Sequence, residues 1–195
     1  MKIPRATHLV LGFQHQADAE QLRKDLSERL AKFNLELQDD KTRLIEFGRN
    51  AATNRKRRGQ GKPETFDFLG FTHICSKRRK DGGFALRRKT ITKRARAKLK
   101  AVRKQLKRNR HLSVAEMGKW LKAVFQGHMN YYGVPGNRGA TDAFRTGLAK
   151  AWLHALRRRS QKGRNLTWKK FQRWFVTWIP TARTVHPYPN QRLRV

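Results

Sequence analysis

The stretch Thr90-Ile91-Thr92-Lys93-Arg94-Ala95-Arg96-Ala97-Lys98-Leu99-Lys100-Ala101-Val102-Arg103-Lys104-Gln105-Leu106 changes the period of the chain. Ile91, Ala95, Leu99, Val102 and Leu106 recur at helical spacing and make one narrow apolar stripe, while every other face carries Lys or Arg. Thr90 is the expected cap, and the helix is expected to run to Arg110 and to lie on the preceding α/β piece. Upstream the period is two. Phe66 to Ile74 reads as a strand, and the basic turn Lys77 to Gly83 makes it half of a hairpin with Phe84 to Arg88.

Working outward, Leu9 to Phe13 reads as a buried strand. A helix opening at Ala17 or Asp18 follows, with Leu22, Leu26, Leu30 and Phe33 on one face. Leu35-Glu36-Leu37 and Thr42 to Phe47 read as short strands, and residues 48–63, with Arg55-Lys56-Arg57-Arg58, as a basic loop. Downstream, Ser113-Val114-Ala115-Glu116 is a capping box opening a helix with Met117, Leu121, Val124 or Phe125, and His128 inward. Gly133-Val134-Pro135-Gly136 ends it. A further helix runs from about Thr141 through Phe144, Leu148, Trp152 and Leu156 to Arg157-Arg158-Arg159, and a shorter one from Thr167 to Trp178. The pattern is an α+β chain, a small sheet-bearing piece followed by a basic helical one.

The 195 residues include 47 Lys or Arg and 13 Asp or Glu, a formal charge of +34. Residues 1–81 hold 18 basic and 11 acidic residues, and residues 82–195 hold 29 and 2, the two being Glu116 and Asp142. A surface that is merely soluble mixes signs, so the second half is expected to bind a polyanion, with nucleic acid the first choice. The single Cys75 excludes an internal disulfide and a Cys-based zinc site. His8, His15, His73, His111, His128, His154 and His186 lack metal-ligand spacing. His128 reads as a packed, hydrogen-bonded core residue, Cys75 as inert, and Asp39-Asp40 as a solvated turn. Neither a signal peptide nor a membrane span is legible, and a cytoplasmic protein is expected.

Several blocks, in order, resemble group II intron reverse transcriptases. Val10-Leu11-Gly12-Phe13, Leu35-Glu36-Leu37 with Asp40-Lys41-Thr42, and Phe68-Leu69-Gly70-Phe71 are similar to the end of the palm. Gly127-His128-Met129-Asn130-Tyr131-Tyr132-Gly133-Val134-Pro135-Gly136-Asn137 and Trp152 with Leu156 to Lys162 resemble the thumb, also called the X or maturase-specific domain. The resemblance implies three parts: a palm remnant over 1–88, a helical thumb over 89–163, and a basic C-terminal helix and tail over 164–195. The family carries Tyr-Ala-Asp-Asp before the first of these strands, and the corresponding positions here are Arg5, Ala6, Thr7 and His8. Threonine and histidine do not replace two Mg²⁺-binding carboxylates. The expectation is therefore no catalytic residue, no metal, no cofactor and no polymerase activity of its own. Lys41 matches a lysine that assists proton transfer in intact enzymes and is expected here to be a surface or phosphate-contacting cation.

The expected role is that of a maturase-like protein that grips structured RNA, group II intron RNA above all, and stabilises its splicing-active fold. DNA is a second polyanion that such a surface accepts. Two alternatives remain. One is the C-terminal half of a split reverse transcriptase working with an N-terminal half. The other is a degenerate remnant acting as a general RNA chaperone. The phosphate-contacting candidates are Lys93, Arg96, Lys100, Arg103, Lys104 and Lys107 on the long helix, with Arg87, Arg88 and Lys89 in the hairpin. Arg157, Arg158, Arg159, Lys162 and Arg164 form a second patch. Trp168, Phe171, Trp174 and Phe175 fall at helical spacing, which favours core packing over base stacking, and Tyr131-Tyr132 is weighed the same way.

Overall fold

Leu69 and Gly70 have φ of 45° and 83°. Two successive positive values are what a tight two-residue hairpin turn requires, so the single strand expected over Phe66 to Ile74 is two. In the computed structural model, which describes residues 9–38 and 40–188, these are β1 (Phe66–Phe68) and β2 (Phe71–Lys77). They pair antiparallel with Phe68 opposite Phe71. β2 then pairs with β3 (Phe84–Thr90), Lys77 opposite Phe84 and Phe71 opposite Thr90, giving the order β1-β2-β3. Leucine resists a positive φ. Here the Tyr131 hydroxyl donates to the Leu69 carbonyl at 2.7 Å and holds the turn.

The sheet ends there. Leu9 to Phe13, Leu35 to Leu37 and Thr42 to Phe47 are not strands, which corrects the expectation of a larger sheet. A strand exists only with a partner for its backbone groups. Among the described residues none of these segments pairs with a strand, and Leu9, Val10, Leu11, Phe13, Leu35 and Leu44 are exposed. Helix α1 (Gln16–Ala31) forms, but buries only Ala19, with Leu22, Leu26 and Leu30 half-buried and Phe33 exposed. The expected basic loop contains a second helix, α2 (Ala51–Arg57). Glycines punctuate its two sides at 48 and 59, leaving a helix-competent run between them. At its end Gly59, φ 67°, donates to Lys56 O at 3.1 Å and Gln60 to Arg55 O at 2.8 Å, the paired bonds of a Schellman stop.

The helical part is α3 (Thr92–Arg108), α4 (Val114–Tyr132), α5 (Arg138–Arg157), the single turn α6 (Gln161–Arg164) and α7 (Trp168–Trp178). Helix α5 is the axis of the core: Phe144, Leu148 and Trp152 are buried against Leu121 and Phe125 of α4 and Phe171 of α7. Close approach is set by glycine. A Cβ on Gly147 would stand 2.7 Å from Leu99 Cδ1, and one on Gly118 would stand 2.6 Å from the Trp178 ring. The stripe of α3 therefore packs on α5, not on the α/β piece as expected. The apolar core also continues past residue 164 through Leu166, Phe171, Phe175, Ile179 and Ala182. Arg145 closes that end, donating to Pro180 O at 2.7 Å and Ile179 O at 2.8 Å with its guanidinium 4.9 Å from the Phe175 ring.

Thr90 does not cap α3; Ile91 stands at the cap position and makes no side-chain bond there. Instead Thr90 ends β3 and is buried. Its N–H donates to Asn137 Oδ1 at 2.9 Å, and Asn137 Nδ2 donates to Thr90 Oγ1 and Tyr132 O, each at 2.8 Å. One buried amide thus ties the sheet to the α4–α5 turn. By contrast, the capping box of α4 forms as read: Ser113 N–H donates to Glu116 Oε2 at 2.8 Å and Glu116 N–H to Ser113 Oγ at 3.2 Å. The Ser113 hydroxyl, donating to Glu116 Oε2 at 2.7 Å, and then the Ser113 N–H hold the Glu116 carboxyl below its usual range.

Candidate nucleic-acid interface

A helix advances about 1.5 Å per residue, so residues at i, i+4, i+7 and i+11 share one flank. On α3 those are Arg96, Lys100, Arg103 and Lys107, all exposed, spanning about 16 Å. Lys93 and Lys104 are exposed on the outer face, and Arg94 and Lys98 lie on the opposite flank, toward α4. The apolar stripe turned onto α5 fixes these directions.

The first flank opens on a groove of about 250 Å³ between α3 and the end of α5. Arg103, Lys107 and Arg110 line one side, His154 and Arg158 the other, with Ala151 and Ala155 between them. Two patches far apart in sequence thus meet. Arg110, outside the sequence candidates, has its Nε buried without a hydrogen-bond partner among the described residues. The only signal for it was its i+7 spacing from Arg103. Carboxylates are absent from this lining. Of the two in residues 82–195, Glu116 caps α4 and Asp142 stands 3.8 Å from Arg138.

The remaining candidates are sorted by the structure. Successive strand residues point to opposite faces. Arg87 and Lys89 are exposed while Arg88, opposite His73, is half-buried, so the 87–89 run is divided between two faces. Arg157 donates to Leu166 O at 2.8 Å and so helps hold the α6–α7 connection. Arg159 and Arg164 are exposed; the side chain of Lys162 lies outside the described residues. Phe171 and Phe175 are core, as read, with Trp174 half-buried against them and Trp168 partly exposed.

A second groove, about 540 Å³, separates the other flank of α3 from α4. Arg94 and Lys98 face Val124, Gly127, His128, Tyr131 and Tyr132 across it. His128 stacks on Phe144 with ring centroids 3.7 Å apart. Packing is as read, hydrogen bonding is not: its Nε2 is buried and has no partner among the described residues. Burial, and then the nearby Lys98 charge, push its pKa down to about 4. His73, stacked on Phe66, is lowered too, again chiefly by burial.

These histidines predict a pH dependence. An unfolded histidine takes its proton near 6.5, whereas folded His128 resists it until about 4, so acid favours unfolding. Stability is full above pH 6.5, falls by about 3 kcal/mol as pH drops toward 4, and levels off below. Urea unfolding from pH 7.5 to 4 should show the loss. His128→Phe should remove most of it, and an unchanged slope in that variant would contradict the assignment.

Among the described residues no three His, Cys, Asp or Glu side chains cluster to hold a metal ion, and no helix is long and apolar enough to cross a membrane. Arg5, Ala6, Thr7, His8 and Asp39 lie outside the described residues; Asp40 and Lys41 are exposed in a turn closed by Lys41 N–H to Gln38 O at 2.9 Å. Cys75 is pinned to the backbone of Gly48, whose N–H reaches its Sγ at 3.4 Å. Comparison of the chain with protein-family models, curated proteins and solved structures returned no match.

Proposed function

We propose that this chain is an RNA-binding, maturase-like protein that stabilises the compact fold of a structured RNA, group II intron RNA above all, and that does not polymerise on its own. The observation that carries the reading is the convergence of Arg103, Lys107 and Arg110 with Arg158 on one groove whose lining has no carboxylate, with Arg96 and Lys100 exposed in line on the same flank of α3. Cations this close repel one another, and phosphates relieve that repulsion while releasing condensed counterions. Spacing on a rigid helix gives shape selectivity, because the phosphates must arrive in a matching row. The order of the sequence blocks supports the intron as the RNA.

The test is competition between a group II intron RNA and an unrelated structured RNA of equal length at fixed salt. Preference for the intron of about tenfold or more is expected; equal affinity would favour a general RNA chaperone. The exposed Leu9, Val10, Leu11 and Phe13 favour a second reading, the C-terminal half of a split reverse transcriptase. Primer extension appearing only when an N-terminal half is added would select that reading.

A further inference from the structure

Glycine within a helix costs about 1 kcal/mol relative to alanine, and in this core that cost usually has a visible reason. Gly118 admits the Trp178 ring and Gly147 admits Leu99. Gly127, in the interior of α4, has neither reason, a property it shares with Gly139 in the first turn of α5. A Cβ on Gly127 would meet no atom within 4 Å, and its backbone is helical. What its missing side chain does is keep open the groove between α3 and α4, which it lines.

We propose that this groove receives one unpaired nucleotide of the bound RNA, the base entering beside Gly127 and the phosphate meeting Arg94 and Lys98. The inference rests on the RNA-binding reading above and deepens it. Three features fit a nucleotide. The wall combines Val124 with Tyr131 and Tyr132; the Tyr131 ring stacks on Phe71 on one side yet the residue stays 51% exposed, so aromatic surface remains for an unstacked base. His128, only 7% exposed and stacked on Phe144, closes the floor of the groove with its ring. The two cations stand on the α3 side, where a phosphate attached to that base would lie. A volume of about 540 Å³ holds a nucleotide.

The test compares two RNAs, a fully paired duplex and the same duplex with a single-nucleotide bulge, binding to the intact chain and to Gly127→Leu. Leucine is the better helix former, so the variant should fold at least as well while filling the groove. The intact chain should prefer the bulged RNA by about fivefold or more. Gly127→Leu should lose that preference and keep its affinity for the duplex. If the intact chain binds both RNAs equally, or Gly127→Leu keeps the preference, the nucleotide site is wrong while the RNA-binding reading stands. If neither RNA binds at physiological salt, the broader reading fails first. Saturation by free nucleoside monophosphates without any bulge preference would also overturn the RNA-borne nucleotide as the occupant.

Discussion

Replacing Arg96, Lys100, Arg103 and Lys107 together by glutamine should lower affinity for structured RNA roughly a thousandfold at 0.15 M salt. Each phosphate contact releases close to one counterion, worth about 1 kcal/mol at that concentration, and four contacts are removed. Folding should survive, because all four side chains are exposed on the flank of α3 while Val102 and Leu106 remain in the core. A charge-matched control separates contact from bulk charge. Lys56, Arg57, Arg79 and Lys80 are also exposed but lie in α2 and the β2–β3 turn. Their replacement by glutamine should cost less than about tenfold. Fluorescence anisotropy with a labelled RNA measures both, and equal losses would show that the α3 flank has no special role.

The other large effect concerns the core. Trp152→Ala should destabilise the helical part by about 3–5 kcal/mol. Trp152 is fully buried, with ring centroids 5.6 Å from Phe171 and 6.2 Å from Trp174, both edge-on. Removing it empties the place where α5 meets α7. Trp152→Phe should cost far less, because the indole Nε1 is buried without a hydrogen-bond partner among the described residues and its loss strands no acceptor. Urea unfolding followed by circular dichroism distinguishes the two; similar losses would mean that the indole has a role beyond filling space.

Much of the helical part was legible in the sequence because its signals are local. The stripe from Ile91 to Leu106, the Ser113–Glu116 box and the Phe144 to Leu156 spacing each specify a helix without reference to anything distant. Strands depend on partners. The alternation at Phe66 to Phe84 found them within a hairpin, whereas Leu9 to Phe13 has the composition of a strand and pairs with no strand among the described residues. Thr90 failed as a cap for a related reason: Asn137, 47 residues away, competes for its backbone and hydroxyl.

The binding surface divides in the same way. Charge and helical spacing identified Arg96 to Lys107, but only tertiary packing brings Arg158 across from Arg103 and withdraws Arg157 to the Leu166 carbonyl, while the strand's own alternation splits Arg87 to Lys89 between two faces of a sheet. The gap at Gly127 is less legible still. In sequence a helical glycine that admits a neighbour and one that keeps a groove open look alike.

On this reading α3 and the end of α5 form a phosphate-binding surface. Its most direct test is the dependence of RNA affinity on salt for the intact chain and the four-glutamine variant. A log–log slope of at least about −4 is expected for the intact chain, made shallower by about 3 to 4 in the variant. A slope near zero for the intact chain, or the same slope in both proteins, would contradict it.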